Sequence, residues 1–220
     1  YIVMPENSNP LKVAAVKEYG GNIRFCKSTL DSREETLKQI IKDTNAIEIH
    51  PYNNFFIIAG QATVAKEIFE DIDSLDFIIA PVGGGGLLSG TALSTHYLSP
   101  KTKVIGAEPE LANDAWQSLK SKSFIPNTNT STIADGLRTS LGSINFPIIL
   151  EYVSDILTVS EKEIIEAMQI VWLRMKIIIE PSSAVVLAAI IKNKDVFRNK
   201  KVAAIISGGN ADIFNLPWDE

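Results

Sequence analysis

Four consecutive glycines, Gly83, Gly84, Gly85 and Gly86, form the feature that most constrains this chain. The run before them, residues 76–82 (DFIIAPV), predicts a buried strand, and residues 87–93 (LLSGTAL) predict the first turns of a helix. This glycine turn, residues 83–86, would expose backbone N–H groups beside the positive end of a helix dipole, where a phosphate binds well. We expect the missing Cβ atoms to let the anion reach the backbone. The sequence therefore predicts a site for a phosphorylated small molecule.

Apolar, β-rich runs alternate with helical patterns along most of the chain. The predicted strands are residues 2–4, 22–25, 76–82, 103–107, 155–159 and 201–206, and the predicted helices are residues 11–19, 32–44, 54–69, 87–97, 160–175 and 182–192. Capping boxes at Ser32-x-x-Glu35 and Ser160-x-x-Glu163 predict where two of these helices begin. This alternation predicts an α/β fold in which parallel sheets carry helices on both faces.

One long irregular stretch interrupts the alternation. Residues 121–143 are polar and rich in turn-forming residues, and they are too numerous for a simple connection. Loops of this length usually serve a site or are mobile.

Composition narrows the range of partners. A net charge of −5 and a pI of 5.2 argue against a nucleic-acid groove or an anionic membrane surface. The single cysteine, Cys26, excludes an internal disulfide and fits a reducing compartment, so we expect a cytoplasmic protein. The chain starts at Tyr1, in what resembles the end of a strand, and we expect it to begin in the middle of a fold.

Several phosphate ligands remain open at this point. A Walker A loop is excluded, because no Gly-Lys-Ser/Thr follows the glycine turn. The dinucleotide fingerprint nearly fits as Gly84-x-Gly86-x-x-Ser89, with Glu108 about 20 residues farther on as a ribose ligand, although its third glycine is missing. A glycine turn that only permits close packing is the non-functional alternative.

The last predicted strand runs directly into Ser207-Gly-Gly-Asn210. A hydroxyl followed by two glycines offers a neutral hydrogen-bonding group with open space beside it. This suits a flat heteroaromatic ring whose nitrogen needs an uncharged partner, and a dinucleotide has no obvious use for it. Taken alone, the segment is more often an ordinary turn.

Four motifs together resemble a known family. They are GGGGL at 83–87, SGGN at 207–210, EPSSA at 180–184, and HP at 50–51 followed by IIAGQ at 57–61. The combination resembles the fold-type-II (tryptophan synthase β-like) pyridoxal-phosphate enzymes, and among them the serine racemase and threonine dehydratase family. The segments YIVMP at 1–5, IADG at 133–136 and IIEP at 178–181 make serine racemase the nearer of the two. The resemblance implies two domains with an N-terminal part missing: residues 1–53 as the remainder of a small domain and residues 54–220 as the C-terminal part of a large cofactor-binding domain.

The resemblance also assigns roles in binding the cofactor, pyridoxal 5'-phosphate, and the substrate. The cofactor phosphate is expected on Gly83, Gly84, Gly85, Gly86 and the N–H of Leu87. Ser207 would face the pyridine nitrogen and Gly136 would lie against one face of the ring. Arg33 would lie near the substrate carboxylate, with Thr139 at the edge of the same pocket.

A metal site and a nucleotide site follow from the same resemblance. Glu108, the carbonyl of Ala112 and Asp114 are expected to hold Mg²⁺ or Ca²⁺ in a structural role, with Glu110 pointing to solvent. ATP is expected as an activator at the subunit interface of a homodimer. The residues expected to contact it are Arg174, Lys176 and Tyr19.

The catalytic groups themselves are expected elsewhere. The resemblance places the Schiff-base lysine and the serine on the opposite face of the substrate Cα upstream of Tyr1, and no residue of this segment inherits either role. The implied activity is interconversion of L- and D-serine with β-elimination of serine to pyruvate and ammonia. The alternatives are an L-threonine/L-serine dehydratase (an ammonia-lyase), a binding module that lacks the lysine, and a nucleotide-dependent oxidoreductase that uses Glu108.

Overall fold

The computed structural model describes residues 1–218. Its contacts divide the chain into two compact units, Tyr1–Ile49 and His50–Glu220. The sequence prediction places the boundary a few residues later, between residues 53 and 54. Within residues 1–218, no helix is both long enough and apolar enough to cross a membrane.

The first unit contains one small parallel sheet and two helices. Strands β1 (Ile2–Pro5) and β2 (Ile23–Cys26) pair in register from Ile2 with Ile23 onward. The helices are α1 (Pro10–Glu18) and α2 (Leu30–Thr44).

Helix α2 begins one turn earlier than its predicted capping box. Thr29 is the N-cap, and its hydroxyl accepts a hydrogen bond from the N–H of Ser32 at 3.3 Å. The hydroxyl of Ser32 accepts instead from the N–H of Lys27. The predicted capping box at Ser32 is therefore wrong, because the extended backbone of Thr29 offers a cap first. Arg33 consequently lies one turn inside the helix.

The second unit is built on a four-stranded sheet in which all strands are parallel. The strands are β3 (Phe77–Pro81), β4 (Lys103–Pro109), β5 (Asp155–Val159) and β6 (Val202–Ala204), and their spatial order is β5-β4-β3-β6. Parallel strands need long crossovers, and the predicted helices supply them. The predicted α/β class with parallel sheets is confirmed.

Seven helices of the described part of the second unit surround this sheet. They are α3 (Phe55–Asp71), α4 (Gly86–Leu98), α5 (Asp114–Ser121), α6 (Asn145–Tyr152), α7 (Glu161–Met175), α8 (Pro181–Lys192) and α9 (Lys194–Phe197), with short 3₁₀ turns at Glu110–Ala112 and Asp135–Leu137. The capping box of α7 at Ser160 is confirmed. The sequence prediction missed α5, α6 and α9, which span eight residues or fewer and have no capping side chain at the N-cap residue itself.

The core lies on both faces of the sheet. Along β3, Phe77 and Ile79 pack into a cluster with α7 and α8, whereas Ile78 and Ala80 pack into a second cluster with α3, α4 and α6. Because successive side chains point to opposite faces, a strand covered on both sides must be apolar throughout. This explains the unbroken apolar run at residues 77–82, directly after Asp76.

Candidate cofactor site

The glycine turn lies at the carboxyl edge of the sheet, where ligands of parallel α/β folds commonly bind. It follows β3 directly, and all four of its glycines are buried. Gly85 is the N-cap of α4, with φ +91° and ψ −4°. This left-handed conformation favours glycine strongly, since a Cβ would be strained there. The sequence therefore needs glycine at position 85 for backbone reasons alone.

The space beside the glycines is filled by protein atoms. The expectation that the missing Cβ atoms let an anion reach the backbone is therefore wrong. A Cβ on Gly83 would lie 2.9 Å from the Cα of Leu137, and a Cβ on Gly85 would lie 2.6 Å from Cδ1 of Leu141. A Cβ on Gly84 would collide with the ring of Tyr52. The missing Cβ atoms thus make room for neighbouring protein atoms and do not leave open space for an anion.

The backbone N–H groups of α4 carry the case for a phosphate. The first N–H groups of any helix lack intrahelical partners, and here no side chain caps them. They belong to a buried turn, where an unpaired donor is unfavourable. An anion at the positive end of the helix dipole is an acceptor that satisfies them. The glycine turn and the half-buried Leu87 therefore fit the phosphate of pyridoxal phosphate.

Ser207 follows the strand next to the glycine turn. β3 and β6 pair with Ile79 opposite Ala204, and the N–H of Ile205 donates to the carbonyl of Ile79 at 2.9 Å. Both strands end at the same edge, and neighbouring strands are about 5 Å apart. Ser207 is exposed, so its hydroxyl is accessible to a ligand at that edge.

A second serine, Ser183 at the start of α8, holds Ser207 in place. Its hydroxyl lies 3.1 Å from that of Ser207 and 2.8 Å from both the N–H and the carbonyl oxygen of Gly208. Ser183 is fully buried. The sequence prediction did not single out Ser183, although the EPSSA motif that contains it contributed to the family resemblance.

The long irregular stretch supplies another wall of the glycine turn. The position of a Cβ on Gly83 lies 3.2 Å from Oγ1 of Thr139 and 3.3 Å from the carbonyl oxygen of Gly136. The N–H of Gly136 donates to Oγ of Ser182 at 3.0 Å. The structure thus brings Gly136 and Thr139 together with the turn.

Asn145 is a residue of this site that sequence reasoning missed. Its Nδ2 donates to the carbonyl of Gly84 at 2.9 Å and to the carbonyl of Tyr52 at 3.0 Å, and the side chain is fully buried. These partners lie 61 and 93 residues away in the chain. No local sequence pattern could have indicated the contact.

The predicted metal residues surround the start of α5. Glu108 is fully buried, and its two carboxylate oxygens accept from the N–H groups of Ala115 at 3.0 Å and Trp116 at 2.8 Å. Oδ2 of Asp114 accepts from the N–H of Leu141 at 2.8 Å, whereas Oδ1 is buried without a partner among the described residues. Because Glu108 is fully buried, a ligand as large as a ribose does not reach it, which removes the basis of the oxidoreductase alternative.

Both carboxyl groups titrate abnormally. Burial raises the pKa of Glu108 well above its ordinary 4.5, and the charge of Asp114 acts in the same direction. Burial raises the pKa of Asp114 from 3.8 to about 6, against the hydrogen bond from Leu141. Two buried carboxylates with an unpaired oxygen fit a cation. Residues 1–218 contain no group of three or more His, Cys, Asp or Glu side chains that could hold a metal, so such a site depends on these two and on backbone oxygens such as that of the buried Ala112.

The remaining predicted residues are on the surface of their units. Arg33 on α2 and Tyr19 at the end of α1 are exposed in the first unit. Arg174 and Lys176 are exposed at the end of α7, where Lys176 is the left-handed C-cap. Glu110 is exposed as expected, and it also accepts a hydrogen bond from Nζ of Lys192 at 2.9 Å.

Comparison with known proteins places this architecture in a family. Residues 1–208 match the model of the family described as pyridoxal-phosphate dependent enzyme. The chain is 48% identical over 220 residues to the serine racemase of Dictyostelium discoideum, covering 98% of this chain and 68% of that one. It is 44% identical over 218 residues to the β-hydroxyaspartate dehydratase of Paracoccus denitrificans, covering 99% and 69% of the two chains. The crystal structure of the Dictyostelium serine racemase superposes with a TM-score of 0.89, covering 97% of this chain and 69% of that one.

The chain spans about two thirds of the length of these relatives. The match to the family model covers the glycine turn, the irregular stretch and Ser207 within one alignment. The order of these segments and the parallel sheet that positions them agree with a fold-type-II enzyme. This chain belongs to the pyridoxal-phosphate dependent enzymes, in the branch that contains the serine racemases.

Proposed function

We propose that this protein acts as a pyridoxal-phosphate-dependent serine racemase, which interconverts L- and D-serine and also eliminates water from serine to give pyruvate and ammonia. The observation that carries the proposal is the pairing of an uncapped glycine turn with the neutral hydroxyl of Ser207 at the ends of adjacent parallel strands. The identity to a serine racemase over nearly the whole chain supports it.

The residues of this chain bind and orient, and the cofactor supplies the chemistry. When bound, pyridoxal phosphate is an electron sink that lets a proton leave the substrate Cα. The N–H groups of the glycine turn hold its phosphate, and Ser207 holds its pyridine nitrogen. A hydroxyl leaves the ring a weaker electron sink than a carboxylate would, which suits racemisation and β-elimination better than transamination. Gly136 is proposed to lie against one face of the ring, and Thr139 to border the pocket. A Cβ on Gly136 would lie 2.9 Å from Oγ of Ser182, so packing also requires a glycine at this position.

Other parts of the site belong to the same proposal. Arg33 is proposed to attract the substrate carboxylate, with the first unit as the remainder of the small domain and the second as the C-terminal part of the large domain. The lysine and the serine expected upstream of Tyr1 carry the proton transfers. Activity is therefore expected only of a protein that contains them.

A dehydratase is the second candidate, and a specific observation favours it. The Paracoccus relative, 44% identical over 218 residues, is a β-hydroxyaspartate dehydratase. β-Elimination from a β-hydroxy amino acid needs the same sink and the same phosphate site. The two functions differ in which β-hydroxy amino acid is preferred and in how often the proton returns to Cα.

A structural divalent cation, Mg²⁺ or Ca²⁺, is also proposed at Glu108, the carbonyl of Ala112 and Asp114. The unpaired Oδ1 of Asp114 and the raised pKa values of both carboxyl groups support it. A cation would make the ionised forms favourable in a buried position. Its role would be to fix the start of α5.

ATP activation and a homodimer form a separate part of the proposal. Arg174 and Lys176 flank Met175 at the exposed end of α7, and Tyr19 is exposed at the end of α1. A cation suits the phosphates of a nucleotide, and an exposed aromatic ring suits its base. We further propose a cytoplasmic location, because Cys26 is a free thiol.

One assay separates the candidate functions. The intact enzyme is incubated with L-serine and, in parallel, with L-threo-β-hydroxyaspartate. D-serine is measured by chiral chromatography. The oxo-acid product is measured with a coupled reductase, from the loss of absorbance of the reduced nicotinamide. Racemase activity predicts D-serine from L-serine together with pyruvate. Oxo-acid formation from hydroxyaspartate without any D-serine would replace the racemase proposal by the dehydratase. A protein that binds pyridoxal phosphate and converts neither amino acid would contradict both.

A further inference from the structure

Asn145 connects the glycine turn to two other segments. It is the first residue of α6, its side chain is fully buried, and its Nδ2 donates to the carbonyl oxygens of Gly84 and Tyr52. We propose that Asn145 is a positioning residue for the cofactor phosphate, acting through the peptide bond between Gly84 and Gly85. The inference rests on the proposed function, since it assigns the phosphate to the glycine turn.

The first step is the orientation of one peptide group. The carbonyl oxygen of Gly84 accepts from the N–H of Gly142 at 2.9 Å and from Nδ2 of Asn145 at 2.9 Å, so both of its lone pairs are used. In a planar trans peptide, the C=O of Gly84 and the N–H of Gly85 point in opposite directions. Two donors that fix the carbonyl therefore also fix the direction of the N–H that begins α4.

The second step is why a glycine turn needs such support. Glycine has few steric restrictions, so four in a row could adopt many backbone conformations. A phosphate site needs its donors held in one arrangement before the ligand arrives, because ordering them on binding would weaken affinity. Asn145 also holds the carbonyl of Tyr52, and the ring of Tyr52 packs on Gly84. The same amide thus secures the turn from two sides.

The third step is the state of the other amide atom. Oδ1 of Asn145 is buried and has no hydrogen-bond partner among the described residues. An unpaired buried acceptor is unfavourable, so stability alone would favour an apolar side chain of similar size at this position. An apolar residue could not make the two hydrogen bonds that the amide N–H groups donate to backbone carbonyls. These two bonds therefore account for the asparagine.

The test measures selectivity for the phosphate group. Dissociation constants for pyridoxal 5'-phosphate and for pyridoxal, which lacks the phosphate, are measured on the intact apoenzyme by absorbance and fluorescence titration. The variants are Asn145→Leu, of similar volume, and Asn145→Ser, a smaller change, so that the result does not depend on one variant folding. We expect the preference for pyridoxal phosphate over pyridoxal to fall about tenfold or more in both variants, the loss typical of one hydrogen bond to a charged group.

The matched control is Asn193→Leu. Asn193 caps the far end of α8, and its Nδ2 also donates to a backbone carbonyl, that of Ala189, at 2.9 Å. The preference of this variant for pyridoxal phosphate over pyridoxal is expected to stay within about twofold of that of the wild type. The unfolding temperature of all variants is recorded. An unchanged preference in the Asn145 variants, with or without a lower unfolding temperature, would overturn the inference alone. A wild-type enzyme that binds both compounds equally would overturn the phosphate site and the inference with it.

Discussion

The ionisation of Asp114 should lower the stability of the metal-free protein, and the substitution Asp114→Asn should remove that effect. Asp114 is buried, and its pKa rises from 3.8 to about 6, chiefly through burial. A carboxyl group whose pKa is raised by folding favours the folded state below its unfolded pKa. This stability is lost as the pH rises through the folded pKa. The expected window is therefore pH 4 to 6, with a plateau above it.

The size of the effect follows from the shift. One pKa unit corresponds to about 1.4 kcal/mol, so a rise from 3.8 to about 6 corresponds to about 3 kcal/mol. For a chain of this length this is roughly 6–12 °C in unfolding temperature. The neutral Asn keeps an oxygen that accepts from the N–H of Leu141, so the variant loses the charge and retains that bond. The charge of Asp114 also raises the pKa of Glu108, so its removal makes ionised Glu108 less unfavourable and stabilises the variant further.

The assay is urea unfolding of wild type and Asp114→Asn after treatment with a chelator, from pH 4 to pH 8. The difference between the two curves isolates Asp114 from other titrating groups. We expect the variant to gain up to about 3 kcal/mol relative to wild type above pH 6, and Mg²⁺ or Ca²⁺ to stabilise the wild type only. Asp195→Asn is the control, because Asp195 is exposed and pairs only with Arg198 among the ion pairs described. A difference that does not grow between pH 4 and pH 6 would refute the reasoning.

Three further tests address the remaining parts of the site. Gly85→Asp should abolish pyridoxal-phosphate binding, because residue 85 has φ +91° and its Cβ would lie 2.6 Å from Leu141. Gly60→Asp is the control, because a Cβ there would meet no atom within 4 Å apart from neighbouring backbone of its own helix; normal affinity in Gly85→Asp would contradict the site. Ser207→Ala should weaken the cofactor by about 1 kcal/mol, and Ser207→Asp should shift its absorbance by protonating the ring; unchanged spectra and kinetics would make Ser207 a turn residue. Arg174→Ala combined with Lys176→Ala should remove activation by ATP, with basal activity retained, and an intact enzyme indifferent to ATP would end that proposal.

The fold could be predicted from the sequence wherever an element carries its own pattern. The run at residues 77–82 is apolar on both faces of the sheet, and the Ser160 capping box marks the start of α7 within four residues. Helices α5 and α6 lack that information, because no side chain caps either of them locally. The Ser32 box shows the opposite error: the motif is present, but Thr29 caps the same helix first.

The same distinction separates the predicted residues of the site from those that were missed. The glycine turn and Ser207 follow apolar strands directly, so the rule that ligands bind at the carboxyl ends of parallel strands applies to both. Asn145 and Ser183 make side-chain hydrogen bonds to partners between 24 and 93 residues away. Their roles depend on tertiary structure and leave no periodicity or spacing in the chain.

The glycine turn meets two separate requirements, and this decides which experiments are informative. On the Cβ side, Leu137, Leu141 and Tyr52 approach so closely that a side chain would displace protein atoms. On the N–H side, an uncapped helix start offers donors to an anion. Loss of activity on replacing a glycine therefore follows from packing alone, whether or not a phosphate ever binds there. Only a measurement that compares ligands with and without the phosphate distinguishes the two requirements, which is why selectivity, and not activity, is the appropriate readout for this turn.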